Sequence, residues 1–265
     1  MNLSIVVPVY NSSSIIENLT KDILLAVKEI SNVNKIQIIL INDCSTDESW
    51  KKISKLSAEY KETVIGINLM KNYGQHNAIM AGLNNVKGKY IVMMDDDLQH
   101  PPENIKDIVA KLKEGNEVCY VKYINRKHAK WKIFVSWLNN IISSLLISKP
   151  IGVYTSSFKG ITKSIKNEII KYKKPQVFID WLILRETKKI STINVHHLKR
   201  YSGKTNYSFK KLMLLWSNMV IIIPILPLRF SSIFLIVSKI IVKTFIYRLV
   251  KEKNLMEQYN IKEKT

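Results

Sequence analysis

The stretch YIVMMDDDLQHPPE, residues 90–103, places three acidic residues directly after an apolar run. The apolar part predicts a buried strand that ends where the acidic residues begin. Alternate side chains of an extended chain point to the same side, so Asp95 and Asp97 can converge on one point. Carboxylate oxygens suit a divalent cation that also holds a diphosphate, and Gln99 can add a third oxygen. The stretch predicts a metal site at a strand end; the competing interpretation is a solvated acidic turn.

Apolar and amphipathic segments alternate through the first half of the chain. Predicted strands cover residues 4–9, 35–42, 64–69, 90–95 and 117–122, and a later one covers residues 190–195. Predicted helices cover residues 14–29, 45–59, 77–85 and 103–113, the first two starting with the capping boxes Ser14…Glu17 and Ser45…Glu48. This alternation predicts an α/β fold, a mostly parallel sheet with helices on both faces. Ligands of such sheets bind beyond the carboxyl ends of the strands.

The chain is strongly basic. Its 265 residues include 41 Lys and Arg against 21 Asp and Glu, a formal net charge of +20. Such a surface favours phosphate-bearing partners: nucleic acid, anionic lipids or phosphorylated substrates. Cys44 and Cys119 are too few for a disulfide framework, which favours a reducing cytosolic setting. We expect no signal peptide, because residues 3–7 already have the pattern of a strand.

The last third of the chain differs in kind. Residues 212–228 are uncharged but include Pro224 and Pro227, and a second apolar run, residues 230–250, contains Lys239 and Lys243. A membrane span needs about 20 apolar residues, so both runs are borderline. They favour a membrane-associated helical segment that lies in or partly crosses a bilayer, the competing interpretation being a buried helix pair. The polar tail, residues 251–265, is expected to be mobile.

Four motifs lie in order after predicted strands: VVPVYN at residues 6–11, INDCSTD at 41–47, KNYGQHNAIMAG at 71–82 and DDDLQHPPE at 95–103. With Arg200 and the GKTNYS segment at residues 203–208, they resemble family 2 glycosyltransferases with the GT-A fold. Within that family they resemble the polyprenyl-phosphate type, which includes dolichol-phosphate mannose synthase and undecaprenyl-phosphate sugar transferases. The resemblance extends over residues 3–230.

The resemblance implies a nucleotide-sugar donor, a UDP-sugar being favoured, and inversion at the transferred sugar. It assigns eight residues to the donor: Pro8, Tyr10, Asn11, Asp43, Lys71, Asn72, Asp95 and Asp96. Asp95, Asp97 and Gln99 would hold Mg²⁺ or Mn²⁺, and Asp97 and Arg200 would be catalytic. A plain turn remains an alternative for Tyr10 and Asn11, and a solvated loop for Lys71 and Asn72.

The acceptor side departs from the family pattern. Lipid phosphate needs cations, and the candidates are Lys122, Arg126, Arg200 and Lys204, with Ser202 beside them. Lys122 stands where relatives carry Arg, and Val153 where they carry Asp. The missing carboxylate matters little for a phosphate acceptor, which is already ionised, but it matters for a sugar hydroxyl.

Asp180 supports a second acceptor class. The segment FIDWLILR, residues 178–185, resembles the region that supplies the general base in hydroxyl-directed members of the wider family. Asp180 would then be catalytic in transfer to a lipid-linked glycan or surface polysaccharide. The competing interpretation is that Asp180 caps a helix. The acceptor class stays open between these readings.

The sequence as a whole predicts a GT-A catalytic domain at residues 1–210, a membrane-associated segment at residues 211–250 and a polar tail at residues 251–265. The expected location is the cytoplasmic face of a membrane, with anionic lipids as partners and a homo-oligomer left open. A basic nucleic-acid-binding protein is the first rival, but no recognition module is present and the acidic cluster would repel DNA. An inactive membrane-assembly protein is the second rival, against which the intact acidic motif argues.

Overall fold

A computed structural model describes residues 2–31, 33–124, 154–196 and 258–265. The strands are β1 (Asn2–Val9), β2 (Lys35–Asn42), β3 (Val64–Leu69), β4 (Tyr90–Met93), β5 (Val118–Ile124), β6 (Lys159–Thr162), β7 (Ile190–His196) and β8 (Ile261–Lys264). The helices are α1 (Ile16–Lys28), α2 (Ser49–Glu59), α3 (Gln75–Leu83), α4 (Ile105–Lys113), α5 (Lys163–Ile169) and α6 (Ile179–Glu186), and a 3₁₀ turn, Pro102–Asn104, precedes α4.

The strands form one sheet in the order β7-β5-β6-β4-β1-β2-β3-β8. Strand β1 pairs in parallel with β2 and β4, β2 with β3, and β5 with β7. Strand β6 is antiparallel to both β4 and β5, and β8 is antiparallel to β3. The α/β class and the mostly parallel sheet are confirmed, but the sheet is mixed, because β6 and β8 run opposite to the other six strands. The four residues of β6 are too short to show an alternating pattern, so the sequence did not predict them.

The core lies on both faces of the sheet. Along β1 and β2 the side chains alternate, so that Ile5 and Val7 pack with α1 while Val6 packs with α3. Helices α1, α2 and α4 cover one face, and α3, α5 and α6 cover the other. The continuous apolar runs of the strands follow from this, because a sheet covered on both faces is buried on both. The rigid sheet carries the loops at its carboxyl ends.

The predicted capping boxes are wrong. Neither α1 nor α2 has a side-chain cap, and their cap residues are Ile15 and Glu48. Glu17 pairs instead with Lys52 of α2 at 2.8 Å. The Ser45 hydroxyl accepts a hydrogen bond from the backbone N–H of Asn11 at 3.0 Å. Glu17 and Ser45 therefore contact neighbouring elements instead of capping their own helices.

The end of the polar tail, for which the sequence predicts a mobile segment, forms a strand of the sheet. Strand β8 pairs with β3, the Asn260 carbonyl accepts a hydrogen bond from the Met70 N–H at 2.9 Å, and the Thr265 hydroxyl accepts one from the Gly66 N–H at 3.0 Å. The predicted membrane-associated segment lies outside the described residues. Within the described ranges, none of the helices has the length and apolarity to cross a membrane.

Candidate active site

A cavity of about 650 Å³ opens at the carboxyl ends of the central strands. The loops after β1, β2, β3 and β4 form one part of its wall, and the segment before β6 and the start of α6 form the rest. Its lining residues are Pro8, Val9, Tyr10, Asp43, Asn72, Gly74, Gln75, His76, Ile79, Asp95, Asp96, Asp97, Thr155, Ser156, Ser157, Lys159, Phe178 and Asp180. The cavity therefore collects residues from all four sequence motifs.

The turn after β1 is tied to the turn after β2. Asn11 has a φ of 54°, a left-handed conformation that asparagine tolerates better than most residues. Its side-chain oxygen accepts hydrogen bonds from Thr46, through the backbone N–H at 2.9 Å and the hydroxyl at 3.3 Å. Tyr10 remains 47% exposed at the cavity mouth. Asn11 thus holds two loops together and does not line the cavity, whereas Pro8 and Tyr10 do.

Asp43, at the end of β2, fixes the loop that follows β3. Its two carboxylate oxygens accept hydrogen bonds from the backbone N–H groups of Tyr73 at 2.8 Å and Gly74 at 2.9 Å. Burial raises the pKa of Asp43, and these two hydrogen bonds oppose that rise. The adjacent Asn72 lines the cavity, while Lys71 is exposed and its ammonium lies 5.1 Å from the centre of the Tyr73 ring.

The middle carboxylate of the acidic run, Asp96, is anchored to the first strand. It accepts hydrogen bonds from the Tyr10 backbone N–H at 3.1 Å and from the Ser12 hydroxyl. Burial, reinforced by the charges of Asp95 and Asp97, raises its pKa to about 6 in spite of these two donors. The turn continues through Leu98, whose φ of 57° is a strained conformation for leucine.

Asp95 and Asp97 flank this anchor. Asp95 accepts a hydrogen bond from the Gln75 amide and lies 3.3 Å from Nε2 of His100. Burial raises the pKa of Asp95, but the hydrogen bond and charge of His100 outweigh it, so the net pKa is lowered. The Gln99 backbone N–H donates to Asp97 at 3.1 Å. His100 is itself buried and shares a hydrogen bond with the Tyr123 hydroxyl at 2.9 Å, so it supports the loop from behind.

Asp95 and Asp97 suit a metal ion whose remaining coordination positions are filled by the substrate. Asp95 and Asp97 line the cavity, whereas Gln99 is not among its lining residues. Among the residues that the structure describes, no group of three or more acidic, histidine or cysteine side chains is gathered as a metal site. Mg²⁺ sites of enzymes commonly use one or two carboxylates, with phosphates and water filling the other positions. The two carboxylates fit that kind of site.

A buried charged cluster lies at the far wall of the cavity, and Asp180 is its one member that the sequence identified. Lys159, on β6, forms an ion pair with Asp180 near the start of α6, and their side chains are 2% and 12% exposed. The Tyr120 hydroxyl, from β5, donates to the same carboxylate at 3.0 Å. Asp180 is therefore not a helix cap, since Phe178 occupies that position. A single Lys in a four-residue strand carries no sequence signal that could have revealed the pair.

His76, in the first turn of α3, lies against this wall. Its ring packs edge-on against Phe178, with ring centres 5.0 Å apart. Burial lowers the pKa of His76 to about 4, so the imidazole is neutral at neutral pH. Within the described chain, its Nδ1 atom is buried and has no hydrogen-bond partner.

The predicted acceptor-phosphate residues are only partly within the described ranges. Lys122 lies near the end of β5 and is exposed. Arg126, Arg200, Ser202 and Lys204 lie outside the described residues, as does Val153. Lys159 is the single lysine or arginine among the cavity-lining residues of the described chain.

Comparison with known proteins defines the class to which this fold and this site belong. The family model for glycosyl transferase family 2 matches residues 4–170, and the chain belongs to that family. It is accordingly a glycosyltransferase, and the two non-enzymatic interpretations are set aside. The matched range covers the strands from β1 to β6. It includes the loops after β1, β2, β3 and β4, which form one part of the cavity wall.

Among the relatives is the undecaprenyl-phosphate 4-deoxy-4-formamido-L-arabinose transferase of Enterobacter sp. (strain 638), which is 33% identical over 232 residues, 88% of this chain and 70% of the relative. The transferase of the same name from Salmonella choleraesuis (strain SC-B67) is also 33% identical, over 87% of this chain and 70% of the relative. These relatives confirm the resemblance to the polyprenyl-phosphate type of the family.

Solved structures share the architecture. Glucosyl-3-phosphoglycerate synthase from Mycobacterium tuberculosis, in complex with Mn²⁺ and UDP-glucose, superimposes with a TM-score of 0.59 at 15% identity, over 86% of this chain and 80% of that chain. The same enzyme in complex with UDP superimposes with a TM-score of 0.57 at 16% identity, over 86% and 82% of the two chains. The likeness shows the GT-A fold.

Proposed function

We propose that the protein transfers a sugar, with inversion, from a UDP-sugar to a polyprenyl phosphate such as undecaprenyl phosphate at the cytoplasmic face of a membrane. The observation that carries the proposal is the single cavity in which Asp95, Asp96 and Asp97 meet the nucleotide-side residues Tyr10 and Asp43. The relatives that act on undecaprenyl phosphate support the acceptor. The Mn²⁺ and UDP-glucose in a structural neighbour agree with the donor and the metal.

The donor lies along the row of strand ends. The nucleoside is surrounded by Pro8, Tyr10, Asp43 and Asn72. Lys71 contacts it from the loop after β3. Asp43 keeps acceptor capacity for a base N–H, because each carboxylate oxygen has two lone pairs and the Tyr73 and Gly74 N–H groups use one on each oxygen. Asp96 faces the ribose or sugar, and Asn11 acts indirectly by fixing the turn that carries Tyr10.

Asp95 and Asp97 would hold Mg²⁺ or Mn²⁺ together with the diphosphate, with Gln99 supporting Asp97 through its backbone. The ion would neutralise the charge that collects on the departing nucleoside diphosphate. The protein contributes a preformed cradle: Gln75 and His100 orient Asp95, so that little reorganisation is needed when the diphosphate enters.

The reaction itself needs no general base. An oxygen of the acceptor phosphate forms the new bond to the anomeric carbon of the sugar while the bond to the diphosphate breaks, and the electron pair of that bond leaves with the diphosphate. Phosphate is ionised at neutral pH, so no proton has to be removed. Charged donors bind phosphate oxygens strongly. The proposed phosphate-binding residues are therefore Lys122, Arg126, Arg200, Ser202 and Lys204.

A transfer screen tests the proposal. Purified full-length protein in detergent is incubated with Mn²⁺ or Mg²⁺ and a panel of UDP- and GDP-sugars, with and without undecaprenyl phosphate, and release of nucleoside diphosphate is measured. We expect release from one donor that requires the lipid phosphate and stops with EDTA. Release that ignores lipid phosphate but requires a glycan acceptor would contradict the proposed acceptor. It would favour the second reading, in which Asp180 removes the proton of a sugar hydroxyl.

A further inference from the structure

The far wall of the cavity contains a feature that transfer to a phosphate does not require. We call Tyr120, Lys159 and Asp180 the Asp180 cluster. The three residues come from β5, β6 and α6, and all three are buried. Buried ion pairs often contribute little net stability, because desolvation of the two charges offsets their attraction. A charged cluster at the wall of a substrate cavity therefore calls for a functional explanation.

The hydrogen bonds of the cluster all fall on one side of the carboxylate. Oδ1 of Asp180 accepts the Tyr120 hydroxyl at 3.0 Å and is also the partner of the Lys159 ammonium. The hydrogen bonds and the ion pair that Asp180 makes within the described chain all involve Oδ1, while Asp180 lines the cavity. One oxygen is thus saturated by the protein, and the other keeps its capacity to accept a hydrogen bond from a ligand.

The order of the strands places this oxygen at the sugar end of the donor. From one side to the other, the sheet runs β2, β1, β4 and β6. Under the proposed function the nucleoside binds after β1 and β2, and the diphosphate binds after β4. The sugar follows the diphosphate in the covalent order of the donor, so the proposal places it beside the next strand in the row, β6. Lys159 is the first residue of β6, and its ion-pair partner is Asp180.

Two neighbouring side chains complete a surface suited to a sugar ring. Phe178 presents an aromatic ring to the cavity, and His76 packs edge-on against it. The imidazole is neutral and has an unpartnered buried nitrogen, a group that is costly to leave unsatisfied. Apolar and polar groups side by side are what a ring with one hydrophobic face and several hydroxyls requires.

We infer that the Asp180 cluster selects the sugar of the donor, with Asp180 Oδ2 accepting a hydrogen bond from one of its hydroxyl groups. Lys159 and Tyr120 are positioning residues, since they hold Oδ1 and leave Oδ2 for the ligand. The inference rests on the proposed function for the direction of the donor. A site built to pair with a hydroxyl discriminates strongly against sugars that lack it, because its own polar group is then left unpaired.

The test measures donor binding without any acceptor. Titration calorimetry with Mn²⁺ compares UDP with the UDP-sugar that the transfer screen identifies, in the wild type and in Asp180→Asn. We expect UDP to bind both proteins equally and the UDP-sugar to bind Asp180→Asn about tenfold more weakly. Tyr120→Phe should weaken the UDP-sugar by a smaller factor, about threefold. Glu168→Gln, which changes an exposed carboxylate of α5 in the same way, should leave both affinities unchanged.

Deoxy analogues of the donor sugar identify the hydroxyl. One monodeoxy UDP-sugar should bind the wild type about tenfold more weakly than the parent sugar but show no further loss with Asp180→Asn. If Asp180→Asn does not fold, the double variant Lys159→Met with Asp180→Leu, which removes both charges, is measured instead. Equal losses for UDP and the UDP-sugar would overturn the inference, as would unchanged binding combined with a fall in kcat.

The result remains decisive if the proposed acceptor is wrong, because no acceptor is present. If no UDP- or GDP-sugar binds the wild type with either metal, the proposed function fails and the inference fails with it. If the wild type binds a sugar donor and Asp180→Asn binds it equally well, the function stands and only the inference is overturned.

Discussion

At the scale of single residues, Asp97 provides the most direct test of the proposed metal. Asp97→Ala should lower turnover about 100-fold or more and abolish the Mn²⁺ dependence of UDP binding, because a carboxylate next to the diphosphate is lost. Circular dichroism should show an unchanged fold, since Asp97 is only partly buried in a loop. Turnover and calorimetric UDP binding are the measurements.

A matched variant separates the local effect from the loss of one negative charge. Asp22→Asn removes a carboxylate from the exposed face of α1, far along the chain from the acidic loop, and should leave turnover and UDP affinity unchanged. Near-normal activity of Asp97→Ala would contradict the assignment of a metal to this carboxylate.

His76 predicts a pH dependence of stability. Its pKa of about 4 in the fold lies below the ordinary value of 6.5, so between these two values the unfolded chain binds more protons. Stability is therefore fully present above pH 6.5 and is lost as the pH falls towards 4, by up to about 3 kcal/mol. His76→Gln should flatten this part of the profile in urea unfolding between pH 7 and pH 5. Parallel profiles for the two proteins would show that the buried imidazole does not cause the loss.

Sequence patterns identified the half of the cavity formed by the acidic motif and its neighbours, but of the other half they identified Asp180 without its partners. The acidic run after β4, with Asp43 and Tyr10, could be predicted because a motif directly after a strand has a fixed place in an α/β sheet. Lys159 and His76 could not, because their chemistry depends on burial by α6 and β5, which are distant in sequence. A lysine acquires a role here only when the fold removes it from water and gives it Asp180 as partner.

At the scale of elements, the terminal strand β8 is expected to support the donor loop. Its neighbour Asn260 accepts the N–H of Met70, the residue before Lys71 and Asn72. Deleting residues 258–265 should lower the free energy of unfolding by about 2–4 kcal/mol, because several hydrogen bonds to β3 are lost. It should also raise the KM for the donor. Hydrogen exchange of the Met70 amide should become markedly faster.

The control for this truncation is Lys262→Ala, which changes an exposed side chain of β8 and leaves its backbone pairing intact. It should preserve the exchange rate of Met70 and the KM for the donor. Unchanged protection of Met70 in the truncated protein would show that the loop after β3 does not depend on β8.

Local sequence patterns predict some strands of the sheet and not others. Strands β1 to β4 were predicted within two residues because each is a continuous apolar run between turn residues. Strand β8, with the sequence IKEK, is exposed at all four positions, so no burial pattern marks it. Its place is set by the open edge of β3 and by contacts such as the one between the Trp50 indole N–H and Glu263 at 3.0 Å. The pairing of β8 with β3 joins residues far apart in the sequence, so the local propensity of either segment does not predict it.

At the scale of the whole molecule, the sheet has one functional end. Strand β7 is parallel to β5 and ends at His196, and β8 begins at Ile261, beside Leu69 at the carboxyl end of β3. The chain therefore leaves and re-enters the sheet at the end that carries the cavity. Residues 197–257, which include the proposed membrane-associated segment, lie outside the described residues.

This arrangement determines how membrane attachment is tested. Removing residues 230–265 would also remove β8, so loss of binding could reflect a damaged sheet. Replacing residues 212–250 by a Gly/Ser linker of equal length keeps the tail residues 258–265 that pair with β3. In flotation with phosphatidylglycerol vesicles, the wild type should float at both low and high salt. The linker variant should float only at low salt, since it remains strongly basic and its charge attraction is screened within about 10 Å at 0.1 M ionic strength. Flotation of the linker variant at high salt would place the anchor outside residues 212–250.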